Sequence, residues 1–149
     1  MVYTAQKIAY YMVSFCLKRN KPISNLRLQK LLYFAQYKSL KDYDEPLFTD
    51  DISAWQYGPV VPNVYFEFCV YGGMPITLNC NANLNKRTEN LLNYIIEELD
   101  KYDSWSLVRY THKNGSAWSK IYLSGEGNGD VIPLKLIKDD IYNKIEYPV

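Results

Sequence analysis

Apolar residues recur at three- and four-residue spacing along most of this chain, the period of a helix with one buried face. Ile8, Tyr11, Met12, Phe15 and Cys16 form the first stripe, with Thr4 placed to cap it and Pro22 to stop it. Ser24 caps a second helix, whose stripe is Leu28, Leu31, Leu32 and Ala35. Tyr33, Phe34 and Tyr37 widen that stripe beyond half the circumference, so this helix is either central or in contact with a partner. A polar, proline-containing connection follows at 42–51. Ile52, Ala54 and Trp55 then suggest a short extended segment, ended by Tyr57-Gly58-Pro59. Val64, Tyr65, Phe68 and Tyr71 share the face of a third helix, closed by Gly72-Gly73.

The second half repeats the theme. Leu91, Leu92, Ile95, Ile96 and Leu99 make the cleanest amphipathic pattern, with Glu97, Glu98 and Asp100 on the far, solvated face. Asp103 or Ser104 caps a short helix that buries Trp105 or Leu107 together with Val108. Asn114-Gly115 marks a turn, Ser116 caps another short helix, and 124–130 reads as a flexible loop. A last helix places Leu134, Ile137, Ile141, Tyr142 and Ile145 on one face. The pattern predicts one mainly α domain over residues 1–149, with six or seven helices and room for a short β-hairpin around residues 47–57.

Composition refines this picture in three places. The 149 residues suffice to bury a full core without disulfides. The 15 tyrosines suit half-buried and interface positions, although an AT-rich genome would also favour them. The net charge of +1 offers no overall steering toward nucleic acid or a membrane. Cys16, Cys69 and Cys80 are odd in number and lack a paired spacing; Cys16 and Cys69 fall in apolar helical patterns, which suits a reducing, cytoplasmic setting. Neither a signal peptide nor a membrane-spanning run is evident.

Few side chains suggest chemistry. His112 is the only histidine, and it shares no metal-ligand spacing with the cysteines. The GEGNGD segment lacks the Lys-Ser/Thr of a phosphate loop and the acidic register of a calcium loop. Lys18, Arg19, Lys21, Arg27 and Lys30 make a local basic cluster, either a solvated helix end or a contact for an acidic protein or nucleic acid. Trp55, Trp105 and Trp118 read as core anchors or interface anchors. No catalytic set, cofactor or metal is expected.

Three blocks then stand out together: Leu28-Gln-Lys-Leu-Leu-Tyr-Phe34, Ala54-Trp-Gln-Tyr-Gly-Pro-Val60, and Trp105-x-Leu107 leading to Thr111-His112 and Trp118. In this order and spacing they resemble the Panacea antitoxin domain, also described as SocA-like or GepA-like phage-associated proteins. The signature positions of the family fall on Lys30, Tyr33, Trp55, Tyr57, Gly58, Pro59, Thr111, His112 and Trp118. The chain departs from the pattern at Lys113, where the family often carries an acid, and at Ala117, where it often carries proline. The resemblance implies a bacterial or prophage protein encoded beside a toxin gene, non-enzymatic, neutralising that toxin by direct contact. Alternatives are an adaptor that delivers its partner to a protease, and a transcriptional autoregulator, against which the near-zero net charge argues. Leu28, Leu31, Leu32, Trp55, Trp105, Leu107, Thr111 and Trp118 are expected to hold the fold. Lys30, Tyr33, Tyr37, Tyr57, Gly58, Pro59 and His112 are expected to meet the toxin, while Thr111 and His112 could equally cap a neighbouring helix.

Overall fold

A computed structural model describes residues 2–149. It is mainly α: seven α-helices, two short 3-10 turns and one two-stranded antiparallel hairpin among the described residues. Helix starts follow local chemistry. α1 (Ala5–Lys18) and α2 (Asn25–Tyr43) open on Thr4 and Ser24, whose hydroxyls each accept the N–H three residues on. α3 (Pro62–Phe68) starts with proline, which lacks an N–H that would be orphaned there. Asn85, Asp103 and Ser116 cap α4 (Lys86–Leu99), α5 (Ser104–Thr111) and α6 (Ala117–Tyr122) in the same manner as the first two. α7 (Leu134–Tyr142) follows Pro133.

α2 is the axis of the core. It packs against α1, α3, α4, α5, α7 and the hairpin, which explains an apolar circumference wider than one stripe. Leu28, Leu31 and Leu32 are buried, as expected. Tyr33 and Tyr37 are buried as well, edge-on to the ring of Tyr147 near the C-terminus. The expectation that these two tyrosines form a contact face is therefore corrected: the tail covers them. No helix among the described residues is long and apolar enough to cross a membrane.

Other expectations shift for physical reasons. Trp105 is exposed, while Leu107, on the opposite side of α5, and Val108 enter the core. Tyr142 and Leu134 point outward; of the predicted α7 face only Ile137 is fully buried, and Asp140 joins it inside. Cys69 lies exposed in the 3-10 turn Cys69–Tyr71, where the helical period has already tightened. The basic cluster does not exist as a patch. Arg19 pairs with Asp100 at 2.8 and 3.1 Å. Arg27 donates to the Leu99 and Tyr102 carbonyls at 2.5 and 2.8 Å, at and just past the negative end of α4. Lys30 is buried.

The hairpin sits slightly later than expected. β1 (Ser53–Trp55) pairs with β2 (Gly58–Val60) across the turn Gln56-Tyr57, so Gly58-Pro59 begins the return strand rather than ending the segment. The 124–130 segment, read as flexible, is tied down. Its last two residues bond to the outer side of β1: the Gly129 N–H donates to the Ala54 carbonyl at 2.7 Å, and the Ala54 N–H to the Asp130 carbonyl at 2.8 Å. A Cβ at Gly127 would lie 1.8 Å from the Ile121 carbonyl oxygen, so only glycine fits this close backbone approach.

Candidate functional site

The three signature blocks, far apart in sequence, meet at Gly58. Its φ of +109° is a conformation that side chains strain. A Cβ there would stand 2.7 Å from the Thr111 hydroxyl and 2.8 Å from Cε of Lys30. α2 thus contributes Lys30, the hairpin contributes Gly58 and Pro59, and α5 contributes Thr111. The Lys30 ammonium donates to the Pro59 carbonyl at 3.0 Å, and the Thr111 hydroxyl donates to the Val108 carbonyl at 2.7 Å. Two further polar side chains of α2 stitch the irregular connection to the helix. The Gln29 side-chain oxygen accepts the Val61 N–H at 2.9 Å; Gln36 accepts the Leu47 N–H at 2.7 Å and donates to the Phe48 carbonyl at 3.0 Å. These glutamines escaped the sequence reading, although their seven-residue separation inside an apolar stripe was a usable signal.

Behind this junction lies an aromatic stack. The His112 ring lies flat on Trp118, centroids 3.8 Å apart, and Trp118 stacks on Tyr122 at 4.6 Å. The Trp118 indole N–H donates to the Trp55 carbonyl at 2.8 Å, locking α6 to β1. Burial, and secondarily the charge of Lys30, push the His112 pKa down. His112 ends α5 as its cap residue, and Ser116 donates to the Thr111 carbonyl at 2.8 Å; the Thr-His pair thus forms the joint between α5 and α6. Among the described residues no group of His, Cys, Asp or Glu gathers as a metal ion would require.

In front of the junction is an open groove of about 720 Å³. Its walls are the start of α2 (Asn25, Leu26, Gln29, Lys30), the hairpin turn (Trp55, Gln56, Tyr57), Tyr65 of α3 and Trp105 of α5. Trp55 meets Tyr65 edge-on at 4.8 Å, and Tyr57 meets Trp105 edge-on at 5.2 Å. Tyr57 and Trp105 are each about half exposed, at 49% and 51%, and Phe66 beside Trp55 is 64% exposed. Of the residues expected to meet a partner, Tyr57 stands on this rim and Lys30 lies in the groove lining. Gly58 and Pro59 are buried beneath it, and His112 is turned to Trp118.

The Panacea domain model, described as "Antitoxin SocA-like, Panacea domain", matches residues 28–119. That span holds all three signature blocks. The chain belongs to the SocA-like Panacea family. Antitoxin SocA of Caulobacter vibrioides (strain NA1000 / CB15N) is 33% identical over 138 aligned positions, covering 79% of this chain and 71% of that protein. No solved structure matches this Panacea chain. Its departure at Ala117 has structural content. The Ala117 N–H donates to the buried Asp140 carboxylate at 3.0 Å, a bond that proline at this position would lack.

Proposed function

We propose that this chain is an antitoxin that neutralises a cognate toxin protein by direct contact, making and breaking no covalent bond. Its place in the SocA-like family supports the antitoxin role. The observation that carries direct binding is the exposed Tyr57–Trp105 pair on the rim of the aromatic groove. Large aromatics with a polar tip are over-represented at the centres of protein interfaces, and a half-exposed pair of them needs a reason on a water-facing surface. The rim is also rigid: α2 side chains, the 129–132 segment and Trp118 hold the hairpin from three sides. A toxin covering it would bury an interface of standard size, about 800 Å² per partner.

Co-expression with the product of the adjacent gene tests the reading. Growth should stop with that gene alone and resume when this chain is supplied. A neighbour that is harmless, or a toxicity that persists, removes the proposal. Toxin half-life measured in the same cells separates blocking from delivery to a protease: blocking leaves turnover unchanged.

A further inference from the structure

Of the four arginines in this chain, three are held by the chain itself. Arg19 pairs with Asp100, Arg27 with two carbonyls at the end of α4, and Arg87 with Glu45 at 3.0 Å. Arg109 is the exception. It is exposed on α5, and of its five guanidinium donors one is used, on the Ser106 hydroxyl at 2.8 Å. It lines an open pocket of about 340 Å³ together with Tyr102, Ser106, Tyr110 and Lys113. Each of these side chains can donate a hydrogen bond and none is a carboxylate. Lys113 rests over the Tyr110 ring at 5.1 Å, and Tyr102 meets Tyr110 edge-on at 5.5 Å. No ion pair reaches Arg109 or Lys113 among the described residues. The carboxylates nearest in the chain are engaged: Glu98 with Lys101 at 2.6 Å, Asp100 with Arg19, and Asp103 with the Ser106 N–H at 2.7 Å.

We propose that the face of α5 running from Trp105 to Lys113 receives an acidic segment of the partner toxin, with one of its carboxylates seated on the Arg109 guanidinium and beside the Lys113 ammonium. This rests on the antitoxin reading and adds the chemistry that the partner must present. Arg109 stands four residues after Trp105, one turn along the same helix face, so it continues the exposed Tyr57–Trp105 rim. A partner that covers this rim also takes water from Arg109. A guanidinium that loses water without gaining a counter-charge is costly, so the occupant has to bring one. The planar fork of arginine matches a carboxylate with two parallel bonds, and arginine, tryptophan and tyrosine are the side chains on which interface energy concentrates. A nucleic-acid backbone fits less well. It carries a charge at each nucleotide, whereas the patch offers two cations, with Asp103 at the start of the same helix and Glu98 and Asp100 just before it.

The affinity of the full chain for the purified product of the adjacent gene tests this. Arg109→Ala should weaken binding about tenfold or more, the size of one contact between charged groups, and Arg109→Glu should weaken it further. Lys113→Glu should act in the same direction and less strongly. Lys135→Glu makes the same change of charge at an exposed cation of α7 and should leave binding unchanged. Raising the salt concentration should weaken the unmodified pair and should affect Arg109→Glu less. Thermal melting checks that each variant folds; if Arg109→Glu does not, the uncharged Arg109→Gln takes its place. Affinity indifferent to Arg109, or lowered equally by Lys135→Glu, overturns the proposal. A gel shift with mixed-sequence duplex and single-stranded nucleic acid should show no retardation at low salt; retardation that Arg109→Glu abolishes assigns the patch to nucleic acid and overturns the proposal as well. In the co-expression assay Arg109→Glu should lose neutralisation. Neutralisation kept by that variant overturns the patch and leaves the antitoxin reading standing. An unmodified chain that neither binds nor neutralises overturns that reading and with it the toxin as occupant.

Discussion

Two ionisable side chains, Lys30 and Asp140, are completely buried in this fold, and they are treated in opposite ways. Asp140 lies in a sealed interior. One carboxylate oxygen accepts both the Ala117 N–H at 3.0 Å and the Tyr147 hydroxyl at 2.7 Å, joining α7, the start of α6 and the C-terminal tail. Burial raises its pKa, opposed by those two hydrogen bonds. Lys30 lies beside an open groove with one carbonyl for a partner. The first charge joins three elements through Oδ2 while its Oδ1 is left without a partner, and the second makes a single bond to a backbone carbonyl. Burial alone therefore does not reveal how a charged residue serves structure; the number of elements its bonds join does.

The comparison can be broken most forcefully at Asp140. Asp140→Ala leaves a buried N–H and a buried hydroxyl without an acceptor and should cost roughly 2–5 kcal/mol, read as a lowered denaturant midpoint. A loss under about 1 kcal/mol would mean that the carboxylate organises nothing. Gly58→Ala comes next. It forces a Cβ into Thr111 and Lys30 at a φ of +109°, so a loss of about 2 kcal/mol or more is expected in the same measurement.

Lys30→Met should behave differently from either. Removing an under-partnered buried charge is often neutral or stabilising, so its midpoint at pH 7 should move by less than about 1 kcal/mol. The pH dependence sharpens the contrast. The folded pKa of Lys30, about 7, lies below its ordinary value of 10.5, so between the two the unfolded chain binds a proton that the folded chain does not. Stability should rise with pH across this window, by at most about 1.4 kcal/mol per unit, and the rise should vanish in Lys30→Met. The smallest stability effects belong to the rim. Tyr57→Ala and Trp105→Ala lose an exposed edge-on pair worth about 0.5–1.5 kcal/mol, and melting should shift by a few degrees or less while toxin binding falls.

Helices were readable because their signal is local. The stripe from Leu91 to Leu99 is buried face for face, and the caps at Thr4, Ser24 and Ser116 bond as their residue types demand. The site was readable only as a set of names. That Lys30, Gly58 and Thr111 touch depends on the crossing of α2, the hairpin and α5, which no spacing encodes. Tyrosine defeated periodicity twice: Tyr37 went inside because Tyr147, 110 positions away, covers it, while Tyr57 stayed out. Trp105 and Leu107 compete for the same short helix, and the smaller of the two took the core because Trp105 found Tyr57 instead. Arg27 and Arg19 looked like a basic surface until the end of α4 arrived to take up their donors.

The packing around Gly58 ties the evolutionary fates of three distant segments together. Volume gained at this position has to be surrendered by the lysine methylene or the threonine hydroxyl that already occupies the space. Drift at one of the three is therefore permitted only in step with the others, while the exposed aromatic rim beside them stays free to change its residues.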